Sequence, residues 1–188
     1  VTTALHATVL VVTAPEVGGP DSRYPSAHSV SSGTAAGLLV ALESVDPSII
    51  VVARQTDDEA ELISWLHEAA DRGWGVVIDP AAFTSYSYGL RDAAALVVEA
   101  GLPVIEAHLT NPVSQGESRQ SSVISAVSTG IIAGFGLDSY RFAVAAAGAR
   151  VADRRDVASR QDAVKHEDDA NQQHVAEQQQ GTLEQAHR

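Results

Sequence analysis

The segment PVIEAHLTN (103–111) sets a carboxylate, Glu106, and an imidazole, His108, two residues apart at the end of an apolar run. On a strand such residues project to one face. Glu106 can then accept the imidazole N–H, fix its tautomer and raise its basicity, leaving His108 to work as a general acid or base. The plain alternative is a satisfied polar pair closing a sheet edge; the loop that follows at once favours chemistry. A second set lies in GGPDSRYPSAHS (18–29), where the Arg23 guanidinium beside Tyr24 or His28 could depress that partner's pKa toward a useful base in a mobile lid. An ordinary surface loop has the same composition. In VVIDPAAFTSYS (76–87), Asp79 ends an apolar run, and Thr84 or Ser85 precedes a helix as an N-cap. Arg119 and the serines of ESRQSSVIS (117–125) suit an oxyanion or sugar-like hydroxyls, or decorate a loop.

These residues need a frame. TVLVVT (8–13), IIVVAR (49–54), WGVVID (74–79), LPVIEAHL (102–109) and STGIIAGFG (128–136) read as strands. Helices are expected at Ser29–Ser44, at 56–73 with Thr56 as cap and Gly73 as stop, at 85–101, and at 137–155. Residues 15–29 hold three prolines and two glycines and read as a long loop. Apolar strands alternating with helices imply an α/β fold whose parallel sheet is covered on both faces. In open sheets of this kind ligands bind beyond the carboxyl ends of the strands, where Glu106, His108 and Asp79 fall.

The chain of 188 residues, 45% hydrophobic, is long enough for one domain with a real core. It is expected to divide into an α/β domain (1–155) and a polar tail (156–188), disordered or an extended helix, whose histidines read as solvated rather than as ligands. A formal net charge of −12 argues against nucleic-acid or anionic-membrane partners. The absence of cysteine excludes disulfides and thiol chemistry. No apolar run approaches the ~18 residues of a membrane span, and the N-terminus reads as a first strand rather than a signal peptide. A cytoplasmic protein is the expectation. No P-loop, GxGxxG, CxxC, HExxH or GxSxG motif is present, so nothing in the sequence suggests a nucleotide, metal, cofactor or covalent serine.

RQTDDEAELISWLHEAAD, TSYSYGLRDA, PVIEAHLTN and SVISAVSTGIIAGFGLDSYRFAV, in this order and spacing, resemble the type II 3-dehydroquinate dehydratases over about residues 8–150. The resemblance implies a flavodoxin-like three-layer sandwich with a five-stranded parallel sheet, and homo-oligomers in which trimers assemble into a dodecamer. It also implies elimination of water from a small-molecule substrate, 3-dehydroquinate, through an enolate, without metal or cofactor. Glu106 and His108 fall on the family's general-acid pair. Leu109 and Thr110 fall on the segment whose amides hold the substrate carboxylate. Arg23 falls on the lid arginine, Arg119 and Asp92 on the later Arg–Asp pair, Asp92 reaching a neighbouring subunit's site.

The departures cluster at the site. The family's lid tyrosine, the base, is replaced by His28, with Tyr24 in the wrong slot. Asparagines after strand one and at the end of strand three are Glu16 and Asp79; a histidine is Ser85; a lid arginine is Gln115. Counted as charges, Glu16, Asp79 and Gln115 make the pocket about three units more negative, and like charges ~4 Å apart repel by roughly 4 kcal/mol at an effective dielectric near 20. The sequence therefore puts first a recruited lyase, isomerase or cyclase of specialised metabolism, acting on a non-anionic carbonyl compound. His28 would be its base, His108 its acid, Glu106 the orienter and Arg23 an electrostatic helper. A conventional 3-dehydroquinate dehydratase and a catalytically silent binding or scaffold homologue follow.

Overall fold

A computed structural model describes residues 6–14, 40, 42, 45–115 and 121–186, with side chains omitted at 115 and 167–186. Two compact units emerge, Val1–Ala152 and Asp153–Arg188. In the first, five parallel strands form one sheet: β1 (Ala7–Thr13), β2 (Ile49–Gln55), β3 (Gly75–Asp79), β4 (Val104–His108) and β5 (Gly130–Ala133), in the spatial order β2-β1-β3-β4-β5. The α/β architecture read from the sequence is present, with strand limits shifted by at most three residues. The central strands are apolar on both faces because both faces are covered; β3, GVVID, is buried throughout. The edges differ from the expected two-sided burial: Ile50 on β2 and Ile131 on β5 are half exposed.

Even-numbered residues of the central strands (Leu10, Val12, Val76, Ile78, Val104) face one layer. There they meet helix α1 (Glu59–Arg72) through Leu62, Leu66 and Ala69, and helix α2 (Tyr88–Glu99) through Leu90, Ala93, Ala94 and Val97. Odd-numbered residues (Val9, Val11, Val77, Ile105, Ala107) face the other layer. It is formed by Leu42 and by Tyr140, Ala143, Val144 and Ala147 of helix α3 (Leu137–Ala186). The period-2 alternation of the strands thus sorts the core into two clusters.

Several local expectations need correction. Asp58, not Thr56, caps α1: its carboxylate accepts from the Ala60 and Glu61 amides, while Thr56 accepts from the Asp58 amide. Gly73 does end this helix, at φ 69, where a side chain would be strained. Ser87, not Thr84 or Ser85, caps α2 by accepting from the Leu90 amide. Residues Ala81–Ser85 instead form a 3₁₀ turn, in which the Thr84 hydroxyl donates to the Ala81 carbonyl. Helix α3 runs from the expected 137–155 on through the segment read as a disordered or helical tail. The loop read at 15–29 lies outside the described residues, as does the helix read at 29–44 except for Val40 and Leu42, both helical.

Candidate active site

The carboxyl ends of β3 and β4 carry a cluster of buried polar groups. Glu106, fully buried, sits on the same face of β4 as His108, and its Oε1 lies 2.8 Å from His108 Nε2. Two hydroxyls hold the rest of the carboxylate. Ser122 Oγ donates to it at 2.9 and 3.1 Å, and Ser125 Oγ makes a short bond to Oε2. A buried carboxylate without such donors would cost several kcal/mol; this one uses both oxygens. Ser122 also accepts from the amides of Ile124 and Ser125, so the segment is folded around the carboxylate.

The other ring nitrogen meets a second carboxylate. His108 Nδ1 is 3.4 Å from Asp79 Oδ1. Asp79 is itself buried, accepting from the Ala81 amide at 3.1 Å and, through Oδ2, from the Tyr140 hydroxyl at 2.7 Å. Burial by itself pushes the imidazole pKa down. The hydrogen bonds to Asp79 and Glu106, and the charges of both, outweigh that and raise it from 6.5 to about 10. That pKa keeps the ring protonated at neutral pH, and 14% of the side chain is still exposed.

The remaining candidates are dispersed. Leu109 and Thr110 directly follow His108; Leu109 packs into the α3-side core, and its carbonyl accepts from Gly136 N at 2.9 Å. Thr110 and Ser85 are exposed. Asp92 lies on α2, largely exposed and ion-paired with Arg91 at 2.8 Å, with no bond to the His108 cluster among the described residues. Gln115 ends a short 3₁₀ turn, Pro112–Gln115. Glu16, Arg23, Tyr24, His28 and Arg119 lie outside the described residues. Two features went unread in the sequence. The sequence leaves the serines of 117–125 open between binding an oxyanion or sugar-like hydroxyls and decorating a loop, whereas Ser122 and Ser125 are committed to Glu106. Tyr140 resembles any aromatic on an amphipathic helix, and nothing in its spacing marks its hydroxyl for Asp79. Among the described residues no group of His, Asp and Glu is arranged to hold a metal ion.

The profile described as "Dehydroquinase class II" matches residues 8–148. This chain belongs to the class II dehydroquinase family. Among its relatives, the 3-dehydroquinate dehydratase of Salinispora tropica is 42% identical over 142 residues, covering 76% of this chain and 97% of that protein. That of Mycobacterium tuberculosis is 33% identical over 136 residues, covering 72% and 90%. The crystal structure of the type II dehydroquinase from Propionibacterium acnes superposes with a TM-score of 0.62 at 34% identity, covering 76% of this chain and 98% of that one. A 3-dehydroquinate dehydratase-like protein from Bifidobacterium longum gives 0.58 at 37% identity, covering 76% and 95%. The dehydroquinase match ends near the division between the two compact units.

Proposed function

We propose that this dehydroquinase-family chain removes water from 3-dehydroquinate to give 3-dehydroshikimate, with His108 as general acid. The observation that carries the reading is the imidazole at the carboxyl end of β4, held on Nε2 by the buried Glu106 carboxylate 2.8 Å away. In the elimination a base takes the proton α to the ketone, and the resulting enolate expels the β-hydroxyl. That oxygen takes the Nδ1 proton and leaves as water. The imidazole is left neutral, with its Nε2–H still on Glu106, until solvent returns a proton. A developing hydroxide is far more basic than imidazole, so transfer is downhill even from an acid of pKa about 10. His28 or Tyr24 is the proposed base, helped by Arg23; Leu109, Thr110 and Arg119 are the proposed substrate contacts. Supporting the conventional substrate, relatives carrying that activity in their names match along nearly their whole length.

This reverses the order suggested by charge counting. Asp79 was counted there as an uncompensated negative charge repelling a substrate carboxylate. In the structure it faces His108, and the proton that Asp79 and Glu106 together retain on the ring offsets the added charge. A second reading keeps one observation in its favour: Asp79 is a buried carboxylate beside the ring, which would suit a non-anionic carbonyl substrate if that offset fails. Assembly into trimers and a dodecamer is also proposed, supported by exposed Ile131, Phe135 and Phe142 in and after β5; sedimentation velocity tests it. The deciding assay incubates the purified chain with 3-dehydroquinate and follows the absorbance of the conjugated enone. Sustained turnover is expected. A flat trace, with the protein folded, overturns the assignment of substrate.

A further inference from the structure

We propose that Asp79 is a positioning residue for His108, clamping Nδ1 from the opposite face of the sheet while Glu106 clamps Nε2, with Tyr140 fixing the orientation of Asp79. The proposal rests on the reading of His108 as the acid and deepens it.

The register makes the arrangement unusual. Ile78 of β3 pairs with Glu106 of β4, so Ile78, Glu106 and His108 share the face covered by α1 and α2. Asp79, one residue on, points to the face covered by α3. Side chains on opposite faces of a sheet do not meet within it. They meet here because β3 and β4 both end, and Asp79 reaches round the strand ends to the ring. Its placement is built: the Ala81 amide holds Oδ1 and the Tyr140 hydroxyl holds Oδ2. Ala81 carries φ 45, an uncommon conformation for a residue with a Cβ, so the turn that presents its amide to Asp79 is locally strained. The chain of contacts runs Tyr140–Asp79–His108–Glu106–Ser122/Ser125, spanning both layers.

Two fixed carboxylates, one at each nitrogen, remove the freedom of the ring to flip. The Nδ1 contact, at 3.4 Å, is longer than the Nε2 contact at 2.8 Å. The longer contact leaves Nδ1 as the side a leaving oxygen can approach, while Glu106 keeps its grip on Nε2. Asp79 keeps Nδ1 protonated between turnovers. Among the described residues, the charged groups facing the ring are Asp79 from β3 and Glu106 from β4. The Tyr140 hydroxyl from α3 faces Asp79, and the Ser122 and Ser125 hydroxyls face Glu106.

The test needs no substrate. Long-range ¹H–¹⁵N NMR of the full chain reads the protonation of both His108 nitrogens, assigned against His108→Gln. In the wild type both are expected protonated at pH 8. In Asp79→Asn the titration midpoint is expected to fall by about 1–3 pH units, and the alkaline limit of kcat should fall with it. Asp79→Ser carries the same expectation should the amide variant not fold. A neutral His108 in the wild type at pH 8, or an unchanged midpoint in a folded Asp79 variant, overturns the proposal. Turnover of 3-dehydroquinate without the midpoint shift defeats this inference alone; the shift without turnover defeats only the assignment of substrate.

Discussion

Two charged clusters sit at the sheet of this protein, one at its edge and one inside. At the end of β2, Arg54 pairs with Glu68 of α1, lies 5.5 Å over the Trp65 ring, and shares Glu68 with Arg72. Arg54 and Glu68 are 27% and 29% exposed and Arg72 59%. At the ends of β3 and β4, Asp79, His108 and Glu106 are almost wholly enclosed. The hydrogen bond from Arg54 holds Glu68 below the ordinary carboxylate range, and the one to Glu68 raises Arg54. Both shifts move groups further from neutrality, so this cluster has one charge state across the working pH range. The inner cluster contains the one group whose ordinary pKa lies near neutrality, and enclosure lets two carboxylates raise it to about 10. Contact geometry is similar in both; depth and residue type decide which cluster can exchange a proton on demand.

The contrast breaks most easily at His108. His108→Ala is expected to lower kcat on 3-dehydroquinate by about 10²–10⁴-fold with the fold retained; a variant as active as wild type would reduce the inner cluster to a structural one. Next comes pH. The folded pKa of His108, about 10, lies above its unfolded value of 6.5. The stabilisation it brings is therefore complete below pH 6.5 and is lost as pH rises toward 10. Urea denaturation should show wild-type stability falling over pH 7–10 more steeply than that of His108→Gln; parallel curves would mean the ring is not charged in the folded state. The smallest effect is expected at the edge. Glu68→Gln should leave Tm within about 2 °C of wild type and kcat unchanged, because solvent screens an exposed pair; a large loss at either readout would erase the distinction between the two clusters.

Much of this was legible along the chain. Strand alternation with helices was enough for the parallel sheet, because apolar runs such as GVVID have no polar face to show water. Spacing of two was enough to put Glu106 and His108 together, since the period of a strand is two. Caps were read less well: Ser87 rather than Thr84 or Ser85 begins α2, because the 3₁₀ turn at Ala81–Ser85 consumes the earlier residues. The candidates Glu16, Arg23, Tyr24, His28 and Arg119 lie outside the described residues and rest on the sequence alone.

By itself the sequence determined a family, a sheet and one braced imidazole, all of which follow from local periodicity and residue order. Only the tertiary structure decided that Asp79 belongs to that imidazole. The pairing of Ile78 with Glu106 sends Asp79 to the opposite face, so no rule of strand spacing joins them. The shared end of two neighbouring strands does, with a tyrosine from a helix some 60 residues later holding the carboxylate in place.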